Sequence, residues 1–243
     1  MELAALDRRR LTAYLVVPLA LGAALVGLYF SGIPALQDLA APAHQREYGL
    51  VENLQNLLLV LIAVRALRAA GREASIRLRL GGRLLAAFAA AVLLEEIDWG
   101  HHYYVSATGN RLPPGEHFNI HNQGNTTNWI KLVVDSSFVL AFVVLPFVAG
   151  RLPERVRAWV PSRFSVLTAV VGVATSRTAH ALEDAGVANN GALHSNISEF
   201  REVFVYWIAW LYLGEIARRR ASPASQLRHG PSDAPGTTPA DGP

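Results

Sequence analysis

The stretch Leu84–Tyr104 reads LLAAFAAAVLLEEIDWGHHYY and decides how the rest of the chain is interpreted. Its first eleven residues are apolar, which is typical of the first half of a helix that crosses a bilayer. Three carboxylates and then two imidazoles follow between positions 95 and 102. Ionisable groups inside a membrane span are costly and indicate a functional site by default. The stretch therefore predicts a membrane helix that carries a polar site at one end.

The composition agrees with a membrane protein. The chain has 243 residues, of which 51% are hydrophobic and 17% charged. Several apolar runs approach the roughly 20 residues that a membrane helix needs, which favours a multi-pass membrane protein over a soluble enzyme. The chain contains no cysteine, which excludes disulfides, thiolate metal sites and cysteine nucleophiles. Its arginines cluster in short loops, which indicates membrane orientation and not nucleic-acid binding.

The apolar runs predict an all-α, polytopic membrane helix bundle of about six transmembrane helices. The second run is the least hydrophobic, and Arg177 interrupts the fifth, so a count of five stays open. The predicted spans are Leu11–Gly32, Leu50–Leu67, Leu84–Tyr103, Trp129–Ala149, Phe164–Leu182 and Val203–Ala217.

The loops predict the orientation of the bundle. Arginines are frequent before the first span, after the sixth, and in the loops that follow the second and fourth spans. The positive-inside rule then places both termini in the cytoplasm of a bacterial inner membrane, which an even number of spans satisfies. Residues 1–220 form the predicted bundle. Residues 221–243 are rich in Ser, Pro, Gly, Ala and Asp, and predict a disordered cytoplasmic tail.

Polar residues gather toward the predicted outer ends of four spans. At helical spacing, Glu95, Asp98 and His102 share one face of the third span, with Trp99 beside them. Arg177, His180, Glu183 and Asp184 share a face of the fifth. The other two stripes are Glu52, Gln55 and Asn56 on the second span and Glu199, Glu202 and Tyr206 on the sixth.

Carboxylates and histidines without sulfur suit a divalent metal such as zinc, iron or manganese. Glu95 is one candidate metal ligand. Glu96 is the candidate general base, which would take a proton from a metal-activated water. A metal-free version, in which a Glu and a His activate water, stays open. The other predicted metal ligands are Asp98, His102, His121, His180 and Asp184. The predicted substrate-binding residues are Glu52, Trp99, Asn119, Asn122, Arg177, Glu183 and Glu202.

Two short motifs carry a resemblance to known proteins. Glu95-Glu96-x-x-Trp99-Gly100 and Asn119-Ile120-His121-Asn122 resemble the EExxWG and NxHN signatures of a group of uncharacterised bacterial multi-pass membrane proteins. The order of the Glu pair, Phe118-x-x-His121 and His180-x-x-x-Asp184 also resembles the CAAX-protease-like intramembrane hydrolases, although Gly100 stands where those have arginine and the Phe–His spacing is one residue shorter. This second resemblance implies that Glu95 and Glu96 activate water, and that His121, His180 and Asp184 bind metal or stabilise the oxyanion.

Three functions are compatible with these residues. The first is a membrane-embedded hydrolase or transferase that acts on a lipid or peptide substrate at an outward-facing site. The second is a proton or divalent-metal transporter, since intramembrane Glu, Asp and His chains serve such relays. The third is a non-enzymatic scaffold or sensor, in which the polar residues only hold the bundle together. No partner other than membrane lipid and the substrate is predicted.

Overall fold

A computed structural model describes residues 8–43, 48–73, 75–109, 132–133, 135–194 and 196–221. Within these ranges the side chains at 98, 101, 102, 106 and 221 are left undescribed. The described residues form helices and loops without a strand, which confirms the all-α class. The predicted tail at 221–243 lies outside the described residues, apart from the end of the last helix at Ala221.

The described part contains nine α-helices, five of which are longer than twelve residues. A π-helical segment, Thr12–Val16, continues into α1, and a second one, Val139–Val144, continues into α6. A short 3₁₀ turn, Asp98–Gly100, separates α4 from α5. The helices are α1 Val17–Tyr29, α2 Pro34–Ala40, α3 Leu50–Gly71, α4 Ile76–Glu96, α5 His101–Thr108, α6 Leu145–Val148, α7 Glu154–Arg157, α8 Phe164–Asp184 and α9 Glu199–Ala221.

The long helices pack side by side in the order α4, α3, α9, α8 and α1. The helix α9 lies in the middle of this row, and its Phe200, Val203, Phe204 and Ile208 are buried. Close approach of α8 to α9 depends on Gly172, because a Cβ built there would lie 3.0 Å from the Cβ of Phe204. Small residues at such crossings are typical of helix pairs in membranes.

The two ends of the bundle differ in charge. At the end that we name the basic end, Arg220 of α9 forms an ion pair with Glu73, just after α3. The arginines near this end are Arg8, Arg9, Arg10, Arg68, Arg72, Arg77, Arg79, Arg83, Arg151, Arg155, Arg157, Arg163, Arg218, Arg219 and Arg220. At the opposite end, which we name the acidic end, the start of α3, the end of α4 and the start of α9 carry Glu52, Glu95, Glu96, Glu199 and Glu202.

Among the described residues, two helices are long and apolar enough to cross a membrane: Arg8–Tyr29 and Leu50–Gly71. Only 28% and 39% of the residues in their apolar windows are buried in the bundle. The helices α4 and α9 carry more charge than these two, whereas α8 does not. In α4 the charges stand near both ends, as Arg77, Arg79 and Arg83 at its start and Glu95 and Glu96 at its close. The six-span arrangement stays a prediction.

One predicted boundary is wrong. The third predicted span ran unbroken through Leu84–Tyr103, whereas α4 ends at Glu96. Trp99 has φ 52° and Gly100 has φ 82°, both in the left-handed region. Two successive left-handed residues end the hydrogen-bonded ladder of an α-helix, and glycine adopts this conformation without a Cβ clash. Glu95 and His102 therefore do not lie on one continuous helix, because α4 ends before the break and His102 belongs to α5.

Candidate functional site

The site is built at the close of α4, where the helix breaks. The indole Nε1–H of Trp99 donates a hydrogen bond of 2.9 Å to Glu95 Oε1, so the side chain of Trp99 lies back against the last turn of α4. A non-glycine residue at positive φ is uncommon and persists when its surroundings hold it in place. Trp99 is 47% exposed, which leaves much of its indole open to the surroundings.

Glu96, the neighbour of Glu95, faces a different partner. Its Oε1 accepts a hydrogen bond of 3.0 Å from the hydroxyl of Tyr206 on α9. Glu199 and Glu202 stand two turns and one turn before Tyr206 on the same helix face, and their carboxylates are close enough to interact electrostatically with its hydroxyl. A single phenol thus lies among three carboxylates from two helices, α4 and α9. We name Glu96, Glu199, Glu202 and Tyr206 the carboxylate cluster.

The start of α3 borders the carboxylate cluster. Gln55 is fully buried, and its Nε2 donates hydrogen bonds of 3.2 Å to both the backbone oxygen and Oε2 of Glu199. Its Oε1 is buried with no hydrogen-bond partner among the described residues. Glu52, one turn earlier on α3, is also buried at 4% exposure. The sequence stripes predicted on the second and sixth spans therefore meet in the structure.

The polar stripe at the end of α8 lies elsewhere at the acidic end. Arg177, His180 and Asp184 are exposed on α8, which packs against α9 and α1 and not extensively against α4. Glu183 is directed to the loop before α9, where its Oε1 lies 2.7 Å from Nδ1 of His194. The described structure does not bring His180 or Asp184 to the carboxylate cluster.

The predicted metal site falls largely on undescribed residues. The side chains of Asp98 and His102 are not described, and Asn119, His121 and Asn122 lie outside the described residues. Among the described side chains, no three of His, Asp and Glu are placed to hold a metal ion. The described residues alone therefore do not fit zinc, iron or manganese, and the metal stays a prediction.

Two contacts at this end were missed from the sequence. Arg201 of α9 donates hydrogen bonds to both carboxylate oxygens of Asp135, at 3.1 and 3.0 Å. Nδ1 of His194, in the loop before α9, lies 2.7 Å from Oε1 of Glu183 at the end of α8. Both contacts join residues far apart in sequence or across a loop, and no local spacing indicates them.

Comparisons with models of protein families, with curated proteins and with solved structures found no match to this chain. The family resemblances of the two motifs therefore stay predictions.

Proposed function

We propose that this chain is a multi-pass membrane protein with six spans, both termini in the cytoplasm and the acidic end facing outward. Exposed apolar side chains support the membrane location: Leu80, Leu84 and Phe88 recur every four residues along one face of α4. Val170 and Val173 are exposed in the same way on α8. Contiguous apolar surface of this kind is rare on soluble monomers and typical of surface that faces lipid.

The charge difference between the two ends supports the orientation. Arginine enrichment on one side of a membrane protein marks its cytoplasmic side. The basic end carries both described chain ends, at Arg8 and after Arg220, while Glu52, Glu96 and Glu199 stand at the other end. The carboxylate cluster would then lie near the outer headgroups, within reach of lipid and of water.

Within this frame we propose a membrane-embedded hydrolase or transferase whose general base is Glu96 and whose substrate is a lipid or peptide. The observation that carries this proposal is the hydrogen bond between Tyr206 and Glu96, because it fixes one oxygen of the carboxylate. The carboxylate is then held in one orientation, from which it would take a proton from a water or a substrate hydroxyl. A base fixed in this way contributes about 10²–10⁴-fold to the rate of proton transfer.

A metal ion of the zinc, iron or manganese type remains part of the proposal. It would supply Lewis-acid polarisation of the substrate, and its ligands would come from Asp98, His102 and His121. Glu96 does not depend on this metal for its position, because Tyr206 holds it.

A structural role for the carboxylate cluster is the second candidate, and a specific observation favours it. Two hydrogen bonds made by the cluster, Tyr206 with Glu96 and Gln55 with Glu199, each join two different helices. Interhelical hydrogen bonds in membranes stabilise a bundle by about 0.6–2 kcal/mol each. The cluster would then stabilise the packing of α3, α4 and α9 and would have no catalytic role.

Transport is the weaker proposal. Toward the basic end from the carboxylate cluster, the buried side chains between α3 and α9 include Leu58, Ile62, Phe204 and Ile208. A path for protons or metal ions needs polar side chains or water at each step. Proton or zinc flux into liposomes that contain the purified protein would reverse this ranking.

The test uses full-length protein in lipid nanodiscs, incubated with a panel of phospholipids and peptides and analysed by mass spectrometry. We expect product from the wild type, at least about a hundredfold less from Glu96→Gln, and full activity from Glu154→Gln, whose carboxylate stands at the basic end. Metal content measured on the same samples, with a His102→Ala, His180→Ala variant, tests the cofactor.

Two results would count against catalysis. Absence of any product from the wild type across the panel removes the enzymatic proposal. Equal product from the wild type and Glu96→Gln removes Glu96 as the base, and a lower unfolding temperature of that variant would then favour the structural role.

A further inference from the structure

A short segment at the basic end is held rigidly against α9. The segment, residues 151–163, contains α7 and leads into α8. Ser162 donates hydrogen bonds from its hydroxyl and its backbone N–H to Glu215, at 2.8 and 3.3 Å, and Arg219 donates one of 2.8 Å to the backbone oxygen of Val160. The guanidinium of Arg220 lies 4.3 Å from the ring centre of Trp159. We name residues 151–163 the α7 segment.

The arginines of α9 and those of the α7 segment are used differently. Arg219 and Arg220 are engaged with Glu215 and Glu73 and with the α7 segment itself. Arg151, Arg155 and Arg157 are exposed, and none of their side chains forms an ion pair or hydrogen bond with the described residues. Arg219 and Arg220 thus hold the α7 segment against α9, whereas the other three arginines stay exposed on the surface of the segment.

Apolar side chains stand beside these three arginines. Val156 is 47% exposed and Trp159 is 42% exposed, within the same short stretch. Tryptophan is enriched at the level of lipid headgroups, where its ring lies between water and acyl chains. A surface that combines basic and exposed apolar side chains is typical of segments that lie in the membrane interface.

We propose that the α7 segment is a binding site for anionic phospholipid in the leaflet at the basic end. Arg151, Arg155 and Arg157 would bind the headgroup phosphate, which the planar guanidinium matches through paired N–H groups. Trp159 and Val156 would contact the upper acyl chains, and this apolar contact favours a lipid over a free phosphate ion. The inference rests on the membrane location proposed above and not on the hydrolase.

The experiment titrates detergent-purified full-length protein with phosphatidylglycerol or with phosphatidylcholine. Bound lipid is counted by native mass spectrometry, and the unfolding temperature is followed in parallel. We expect the wild type to prefer phosphatidylglycerol. The variant R151Q/R155Q/R157Q should bind it at least about tenfold more weakly, because each basic residue near an anionic surface contributes to the affinity, and should bind phosphatidylcholine as the wild type does.

The matched control is R68Q/R72Q/R77Q, which removes the same charge from exposed positions at the same end. Its affinity for phosphatidylglycerol should change by less than about threefold. A loss as large as that of R151Q/R155Q/R157Q would overturn the proposal, because it would show diffuse attraction without a site. Equal affinity of the wild type for the two lipids would overturn it as well, and so would equally effective competition by inorganic phosphate.

A separate measurement distinguishes failure of the proposed lipid site from failure of the proposed membrane location. Wild-type protein that sediments with membranes and needs detergent for extraction, yet shows no lipid preference, contradicts the lipid site alone. Protein that stays in the soluble fraction contradicts the membrane location and the lipid site with it. Unfolding temperatures of both triple variants in phosphatidylcholine report whether the variants fold.

Discussion

Tyr206 and Glu96 stand 110 positions apart in the chain, and their side-chain oxygens lie 3.0 Å apart in the structure. This contact defines the carboxylate cluster at the residue scale. The hydroxyl of Tyr206 donates to Glu96 and lies near the carboxylates of Glu199 and Glu202 on its own helix. Removal of this hydroxyl takes one hydrogen bond away from the contact between α4 and α9.

The first prediction concerns this donor. Tyr206→Phe removes one oxygen and leaves the ring in place, so the variant should lose about 0.6–2 kcal/mol of unfolding free energy, the usual contribution of an interhelical hydrogen bond in a membrane. Denaturant unfolding in detergent micelles measures the loss. Tyr104→Phe is the matched control, because Tyr104 is exposed on α5 and its hydroxyl has no described partner. Equal stability of Tyr206→Phe and the wild type would show that the 3.0 Å contact is not formed in solution.

At the scale of elements, helix crossings depend on small residues at a few positions. A Cβ built on Gly22 of α1 would lie 2.5 Å from Oγ1 of Thr175 on α8, and 3.3 Å from the ring of Phe204 on α9. Three helices therefore meet at one glycine. Gly27, one and a half turns later on α1, has nothing within 4 Å of its built Cβ.

The second prediction uses this pair of glycines. Gly22→Leu should separate α1 from α8 and lower the unfolding free energy by at least about 1–3 kcal/mol, which is the usual cost of overpacking. Gly27→Leu makes the same chemical change on the same helix and should leave stability within about 0.5 kcal/mol of the wild type. Thermal unfolding of both variants in the same detergent measures the difference. Similar losses in the two variants would contradict the close packing of α1 on α8.

At the scale of the whole molecule, charge separates the two ends. Arginines cluster at the basic end, while the carboxylate cluster and Glu52 lie at the acidic end. A membrane between the two ends would keep each set of charges in water or headgroups and the apolar flanks of α1, α3, α4 and α8 in lipid. The side of the membrane on which each end lies can be measured directly, because the chain has no cysteine.

The third prediction concerns this orientation. Single cysteines are introduced at two exposed loop positions, Ser75→Cys at the basic end and Ala185→Cys at the acidic end. In intact bacterial cells whose outer membrane has been permeabilised, a membrane-impermeant maleimide should label Ala185→Cys and not Ser75→Cys. Both should react after detergent lysis, which is the control for reactivity. Labelling of both cysteines in intact cells would contradict the six-span topology.

The sequence by itself determined the helical class, the positions of the long helices and the charge difference between their ends. These features follow from local composition and from the period of the apolar residues, so they need no knowledge of neighbours. It also determined two of the polar stripes, Glu52 with Gln55 and Glu199 with Tyr206, because residues three and four apart share a helix face.

Only the tertiary structure decided which stripes meet. The break at Trp99 and Gly100 was missed because backbone dihedrals at a helix end depend on packing as well as on propensity, and it places His102 on a separate helix from Glu95. The pairing of α4, α3 and α9 brought Glu96 to Tyr206 and Gln55 to Glu199 and left His180 and Asp184 exposed on α8. Periodicity gives the face of each helix, but the neighbour of that face is set by packing of the whole bundle.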